Sequence, residues 1–376
     1  MPAANYPFTT IEPNVGVAYA RVKCVCREFG VQDNPVHSMC IDGNRFIPIK
    51  LVDVAGLVPG AHTGKGLGNK FLDDARQADA LVHIVDASGT TDSQGRPVPA
   101  GTGDPMFDIE FVEEEFDLWL AALVGRDWGK NAREAEGLGQ KLEQMFAKRL
   151  SGLAISEPVI ASAIHASGLA MKKPVSWTEE DILAFCKILR VKAKPFVIAA
   201  NKADLPSAEA NVKKMKAVGL EVVPCASEAE ALLRKASKKG VLHYLPGDSS
   251  FDVKPNIALN APQQKALDIV KILMQKYGST GVQEAINIAC FKLLRMVAVY
   301  PVEDEFKLAD KKGNVLPDVR LLPEGSTARD LAQTVHADLA KGFLYGVDAR
   351  TKQRVGADHP LKSGDVIKIV SATSRG

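Results

Sequence analysis

Short apolar runs that end in a polar loop recur along the chain. Residues 46–54 form one such run, with Asp53 at its end, and ALVHIVDA at 80–87 forms a second, closed by Ser88-Gly89. Runs of this length bounded by turn residues read as buried strands. Between them Gly56, Gly60, Gly64, Gly66 and Gly68 punctuate a loop, after which NKFLDDARQAD reads as a helix that returns the chain. The segment is therefore expected to form a βαβ unit. KPFVIAANKADLP at 194–206 and LEVVPCAS at 220–227 repeat the pattern of a strand followed by a polar loop. Repetition of this kind predicts an α/β fold with a mostly parallel sheet and helices on its faces.

The texture changes between residues 107 and 191, where DIEFVEEEFDLWLAAL, AREAEGLGQKLEQMFAKRL and SWTEEDILAFCKIL carry helical periodicity. This stretch reads as a helical insertion within the α/β domain. Glu113, Glu114 and Glu115 fall on an amphipathic helix and read as a solvated face. Residues 247–294 look like helices that complete the first domain and lead to a second. The C-terminal stretch combines RMVAVYPVED, a turn at Lys312-Gly313-Asn314, a helix over about 327–341 and a closing strand in LKSGDVIKIVSA. Thr327 and Asp330 have the spacing of a capping box. The order fits a small ubiquitin-like β-grasp module. The expected division is 1–106 and 192–294 for the two parts of the α/β domain, 107–191 for the insertion and 295–376 for the C-terminal module.

Composition narrows the class without naming a function. With 24% charged and 46% hydrophobic residues the chain sits at globular averages, and its 376 residues predict more than one domain. A net charge of +2 leaves any nucleic-acid surface to local clustering. There is no basic segment followed by an apolar run at the N-terminus and no long uninterrupted apolar stretch, so a cytoplasmic protein without membrane partners is expected. Six cysteines, at 24, 26, 40, 186, 225 and 290, lack the density of a secreted scaffold. Cys24-Val25-Cys26 with Cys40 suggests a metal site, but no matching second pair accompanies it, and the three read as ordinary thiols.

Two motifs carry chemistry. Asp53-Val54-Ala55-Gly56 is a D-x-x-G at a strand end, where an Asp holds Mg²⁺ in nucleotide-hydrolysing domains and the Gly amide approaches the γ-phosphate. A strand-terminal Asp also serves simply as a turn former. Asn201-Lys202-Ala203-Asp204 follows a strand as N-K-x-D, whose Asp accepts two hydrogen bonds from N1 and N2 of guanine, a pattern that adenine does not offer. Both motifs on strand ends of one parallel sheet point to a guanine-nucleotide site. Cys225 and Ala226, at the end of the next strand, lie where such proteins place a loop over the guanine O6.

Asn5-Tyr6-Pro7-Phe8-Thr9-Thr10-Ile11-Glu12-Pro13-Asn14-Val15-Gly16 resembles the switch I segment of Obg-type GTPases, and Asp53 to Ala61 resembles their switch II. Gly64-Lys65-Gly66-Leu67-Gly68-Asn69-Lys70-Phe71-Leu72 continues the likeness into the YchF branch, the group of the Obg-like ATPases, in wording closest to its archaeal members. The insertion and the C-terminal module, which resembles a TGS domain, extend the likeness over essentially the whole chain. It implies a P-loop-NTPase-type sheet with Thr10, or alternatively Thr9, closing on Mg²⁺ and the γ-phosphate. Asp53 would hold Mg²⁺, Gly56 would donate to the γ-phosphate, and Asn201, Lys202 and Asp204 would hold the base. Many members of the branch prefer ATP, yet the intact N-K-x-D here points to GTP, with ATP the less favoured. Leu57 replaces the Gln that orients water in Ras-like GTPases. Hydrolysis is then expected to use another group, and His62 is a candidate against its reading as a solvated loop histidine.

No G-x-x-x-x-G-K-[ST] occurs in the sequence. That loop cradles and neutralises phosphates in the family, so weak triphosphate binding is expected, together with a sheet missing its first strand. A start assigned downstream of the true one is the expected cause, ahead of a truncated gene or a nucleotide-free form. The resemblance implies a GTP-driven switch associated with ribosomes and translation, with ribosomal RNA or protein as partner and no DNA specificity. The alternatives are an ATP-preferring member, or a nucleotide-independent RNA- or ribosome-binding protein acting through the TGS-like module. Lys307, Lys311, Lys312, Arg350, Lys352 and Lys362 offer phosphate contacts there, although interspersed acids also fit a mixed solvated surface.

Overall fold

Asp42-Gly43 reverses the chain in two residues with both φ positive, at 51° and 71°, the conformation of the tight turn that matches the twist of paired strands. It joins β2 (Met39–Ile41) to β3 (Asn44–Asp53), with Ile41 opposite Asn44, and β3 also pairs with β1 (Asn14–Lys23). These strands come from a computed structural model that describes residues 14–54, 78–153 and 155–372. The helix expected between residues 46–54 and 80–87 falls almost wholly outside the described residues. Of the run in β3 only residues 44–47 are buried, Leu51 is exposed, and among the described residues β3 is not a member of the sheet that contains residues 80–87.

The chain forms two compact units, one of residues 1–16 and 52–285, the other of 17–51 and 286–376. In the first, β4 (Leu81–Asp86), β5 (Phe196–Asn201) and β6 (Val222–Pro224) form a three-stranded parallel sheet in the order β4-β5-β6. Val85, Ile198, Ala200 and Val222 pack there against Met106, Ile109, Val212 and Met215. The α/β reading holds, with parallel strands and flanking helices.

Between β4 and β5 run α1 (Pro105–Gly125), α2 (Trp128–Leu138), α3 (Leu142–Arg149), α4 (Glu157–Ala166) and α5 (Glu179–Ala193). Asp104 caps α1 through the amide of Met106, with Pro105 in the first turn, and a reciprocal Thr178–Asp181 box starts α5. Phe116, Leu120, Phe146, Ile160 and Phe185 are fully buried in a core of their own. Phe146 stacks on Trp128 at 5.6 Å and on Phe185 at 5.0 Å. Arg190 of α5, also buried, is neutralised by Asp117 at 2.7 Å and Glu113 at 3.3 Å. Glu113, expected on a solvated face, thus half-faces a buried guanidinium. The unit continues with α6 (Ala208–Ala217), α7 (Ser227–Lys238), a short β7 (Leu242–His243) and β8 (Asp252–Val253) pair, and α8 (Ala261–Tyr277).

The chain passes into the second unit within α9 (Val282–Asn287), and a π-helical turn (Ile288–Leu293) then precedes β9 (Met296–Val302) and β10 (Arg320–Pro323). There follow α10 (Ala328–Val335), α11 (Ala337–Lys341), β11 (Phe343–Asp348), β12 (Arg354–Val355) and β13 (Val366–Ser371). The sheet order is β10-β9-β13-β11-β12, with β13 parallel to β9 and the other pairs antiparallel. The Thr327–Asp330 box starts α10, and Asp310 closes the turn before Asn314. One sheet face buries Val299, Leu322 and Ile367 with Leu331 of α10. The other buries Ala298, Tyr300 and Val366 with Ala20, Val25 and Ile47 of the N-terminal hairpin.

All three tryptophans, Trp119, Trp128 and Trp177, lie in the helical insertion, so tryptophan fluorescence excited beyond the tyrosine band reports on that core alone. Replacing Phe146, at 0% exposure, by Ala removes the ring at its centre. A loss of about 3–5 kcal/mol is expected, read as an earlier fluorescence transition in urea.

Candidate guanine-nucleotide site

Parallel pairing sets Asp86, the last residue of β4, opposite Asn201, the last residue of β5. The C-terminal ends of parallel strands are where α/β sheets bind ligands. Asn201 and the three residues after it form the N-K-x-D. Its backbone turns sharply, with Lys202 at φ 60°, a left-handed conformation that a non-glycine residue holds only when its surroundings demand it. The demand is visible in the side chain. Lys202 Nζ donates to Asp86 Oδ2 at 2.8 Å and to Thr90 Oγ1 at 2.8 Å.

Asp86 is saturated. Its Oδ1 accepts from the amide of Ser88 at 3.0 Å and its hydroxyl at 2.5 Å, while Oδ2 accepts from the Thr90 hydroxyl at 2.6 Å and the Thr91 hydroxyl at 3.0 Å. Burial opposes ionisation, but Lys202 and the three hydroxyls override it and bring the carboxyl down to about 2. With its oxygens so occupied, Asp86 positions Lys202 rather than serving as a free ligand. Sequence reading missed it, although the run Asp86-Ala87-Ser88-Gly89-Thr90-Thr91 carries the signal of an acid followed by hydroxyls.

Asn201 Oδ1 accepts from the amide and the hydroxyl of Ser227, both at 3.0 Å. The Ala203 amide donates to the Cys225 carbonyl at 2.9 Å, and the Cys225 amide to the Ala200 carbonyl at 2.8 Å. The structure thereby brings Asn201, Lys202, Asp204, Cys225 and Ala226 together. Cys225 takes part through its backbone, its buried thiol being pushed up to about 12 by burial. The Ala226 amide donates to the Thr280 carbonyl at 2.9 Å, so the groups expected over the guanine O6 are already bonded within the protein. Asp204 stays exposed, with no hydrogen bond or ion pair among the described residues.

The loop after β6 is braced from behind. Gly281 has φ 81°, and a Cβ there would stand 1.9 Å from the Pro224 carbonyl oxygen. Thr280 donates to Glu230 Oε2 at 2.6 Å, as does Tyr244 at 2.6 Å, and Arg234 pairs with Oε1 at 2.6 Å. Glu230, Thr280 and Gly281 are a second set that sequence reading did not single out.

Asp53, the expected Mg²⁺ ligand, ends β3 half-buried, and its strand belongs to the hairpin sheet rather than to the parallel sheet that carries Asn201. The expectation of one sheet for both motifs is corrected accordingly. A carboxylate is the hard oxygen donor that Mg²⁺ takes. Thr10, Gly56, Leu57 and His62 lie outside the described residues.

With this geometry in view, three family models match the chain. The 50S ribosome-binding GTPase model covers residues 1–101, the G4 motif-containing domain of the Obg-like YGR210-like GTPases covers 199–304, and the TGS domain covers 311–371. A GTP-binding protein of Methanocaldococcus jannaschii is 49% identical over 98% of this chain and 92% of its own. The chain belongs to the YchF/Obg-like GTPase family. A GTP-binding protein of Schizosaccharomyces pombe is 36% identical over 88% of the chain and 83% of its own. The crystal structure of a GTP-binding protein from Pyrococcus horikoshii superposes with a TM-score of 0.78 at 42% identity, over 96% of this chain and 93% of that one. The parallel sheet, helical insertion and C-terminal TGS domain are thus those of the Obg-like GTPases. Because the GTPase match takes in residue 1, it lends no support to the expected gap before the switch I segment.

Asp86 contributes stability because its carboxyl lies lower in the fold, at about 2, than the roughly 3.9 of an unfolded chain. That contribution, about 2 kcal/mol, is present above pH 4 and is lost as pH falls through about 2. Asp86→Asn is expected to lower the urea midpoint at neutral pH and to flatten its fall in acid, followed by circular dichroism. Gly281→Ala is expected to cost more than about 1 kcal/mol by the same measurement, since both its φ and the Pro224 carbonyl oppose a side chain.

Proposed function

We propose that this Obg-like protein binds GTP with Mg²⁺ and acts as a nucleotide-dependent switch at the ribosome in the cytoplasm. The observation that carries the reading is the braced N-K-x-D. Asn201 and Lys202 are consumed in holding the loop, and Asp204 is left exposed to accept the N1 and N2 hydrogens of guanine. Adenine presents an acceptor at N1 and no amino group at C2, so the same carboxylate disfavours ATP. Relatives in M. jannaschii and S. pombe are described as GTP-binding, while one in Bacillus subtilis, 26% identical over 97% of this chain and 91% of its own, is described as a ribosome-binding ATPase. The ribosomal partner in this proposal rests on that relative and on the 50S ribosome-binding model.

Asp53 would hold Mg²⁺, with Thr10 as its companion. The metal would neutralise charge on the β- and γ-phosphates. Gly56 would donate to the γ-phosphate. Leu57 neither donates nor accepts a hydrogen bond, so intrinsic hydrolysis is proposed to be slow, with His62 the group to test for water positioning. Phosphate contacts without a G-x-x-x-x-G-K-[ST] are fewer, and modest affinity is proposed for the 376-residue chain. No helix among the described residues is long and apolar enough to cross a membrane. On the TGS domain Lys368 pairs with Glu305 at 2.7 Å and Arg350 with Glu28, which supports a mixed surface more than a basic one for any RNA contact.

The base assignment is tested by Asp204→Asn. An asparagine offers one donor and one acceptor, which suits the C2 carbonyl of xanthine and not the amino group of guanine. Titration of fluorescent GTP, XTP and ATP analogues with Mg²⁺ should show GTP weakened by about tenfold or more and XTP strengthened. Equal weakening of all three nucleotides, or no change in any, would sink the role of Asp204.

A further inference from the structure

Cys24 and Cys26 leave the end of β1, Asp33 lies in the loop that follows, and Cys40 sits on β2. The fold gathers what the sequence spaces apart. One ligand atom from each of the four lies within 4.8 Å of every other. We infer that Cys24, Cys26, Asp33 and Cys40 form a closed binding site for one thiophilic divalent cation of the zinc type, which pins the loop between β1 and β2.

Two of the spacings match the edges of a zinc tetrahedron, and the others lie within 4.8 Å, which a small contraction onto a cation would close. Zinc–sulfur bonds of about 2.3 Å at tetrahedral angles separate two sulfurs by about 3.8 Å, and a sulfur from a carboxylate oxygen by about 3.5 Å. Cys26 Sγ and Cys40 Sγ stand 3.8 Å apart, and Cys24 Sγ is 3.3 Å from Asp33 Oδ2. A disulfide between Cys26 and Cys40 needs about 2.05 Å. Cys24, Cys26 and Asp33 are buried and Cys40 is half-buried, which leaves no open position of the kind a catalytic zinc keeps. Three soft sulfurs select zinc over magnesium or calcium.

Charge fits as well. Arg45, wholly buried, donates through Nη2 to Asp33 Oδ2 at 2.7 Å and lies 3.5 Å from Cys24 Sγ, while both terminal nitrogens reach the Leu316 carbonyl at 3.1 Å. A metal-ligating carboxylate is usually held by such an outer partner. On binding, each of the three thiols releases its proton to solvent and its sulfur donates a lone pair to the cation. Nothing is oxidised or reduced. The Arg45 guanidinium offsets part of the surplus negative charge of three thiolates and one carboxylate.

The full chain, expressed with zinc and dialysed, should retain one zinc per chain by elemental analysis. Replacement by Co²⁺ should give the visible bands of tetrahedral cobalt with thiolate charge transfer. Cys26→Ser and Cys40→Ser should lose the metal, whereas Cys186→Ala, in the helical core, should keep it. Even outer partners are worth about 10–100-fold in affinity, so Asp33→Asn should weaken zinc at least that much in competition with a chromogenic chelator. Asp33→Cys should keep the metal and intensify the charge-transfer band, a gain that misfolding does not produce. The assignment is overturned by wild-type chain that holds neither zinc nor cobalt, by a Cys26–Cys40 disulfide in its peptide map, or by zinc that survives both serine substitutions.

Discussion

The contact between Lys202 and Asp86 constrains the rest of the nucleotide-binding unit. Pairing of β4 with β5 delivers an acid and a base to neighbouring strand ends. A lysine in the left-handed region is unfavourable alone, and it persists because its ammonium is claimed by Asp86 and Thr90. Asp86 in turn is held by Ser88, Thr90 and Thr91, so the carboxylate cannot swing away. The turn that this imposes on residues 201–204 keeps Asp204 at the surface while Ala203 is buried against the loop of Cys225.

A second layer removes the remaining freedom. The loop after β6 is bonded to β5 on one side and to Thr280 on the other, and Thr280 is tied to α7 through the buried Glu230. Glu230 is tolerated at 4% exposure because Thr280, Tyr244 and Arg234 all donate to it. The Ala226 and Ser227 amides of the loop are spent on internal bonds.

Much of this was legible beforehand. The N-K-x-D was visible as letters on a strand end, and the parallel sheet, the helical insertion and the Thr327 capping box follow from local periodicity and spacing. The partners of β3 were not. An apolar run records that a strand is buried without recording what buries it, and Asp42-Gly43 was the turn signal that assigned β3 to a hairpin. Asp86 and Glu230 were missed for a different reason. Each is an ordinary acid in sequence and becomes consequential only where tertiary pairing surrounds it with donors. Cys24, Cys26 and Cys40 lacked a second pair in sequence because the fourth member is Asp33, whose place beside them is set by Arg45.

That last dependence shows how one unfavourable group organises its surroundings. The five-stranded sheet of the second unit has two apolar faces, and helix α10 covers only one. The other is covered by residues 17–51, which carry Arg45 into the interior beside Tyr300, its guanidinium 5.3 Å from the ring centroid. A buried guanidinium without an anion costs several kcal/mol, so Asp33 is drawn in to pair with it, and the Leu316 carbonyl accepts from both terminal nitrogens. Drawing in Asp33 brings the loop that bears Cys24 and Cys26 over β2, where Cys40 already points. The thiol cluster is thus a geometric consequence of neutralising Arg45. A cation bound among the thiols would act on a loop whose path is already determined, and would strengthen the cover of the sheet without having to create it.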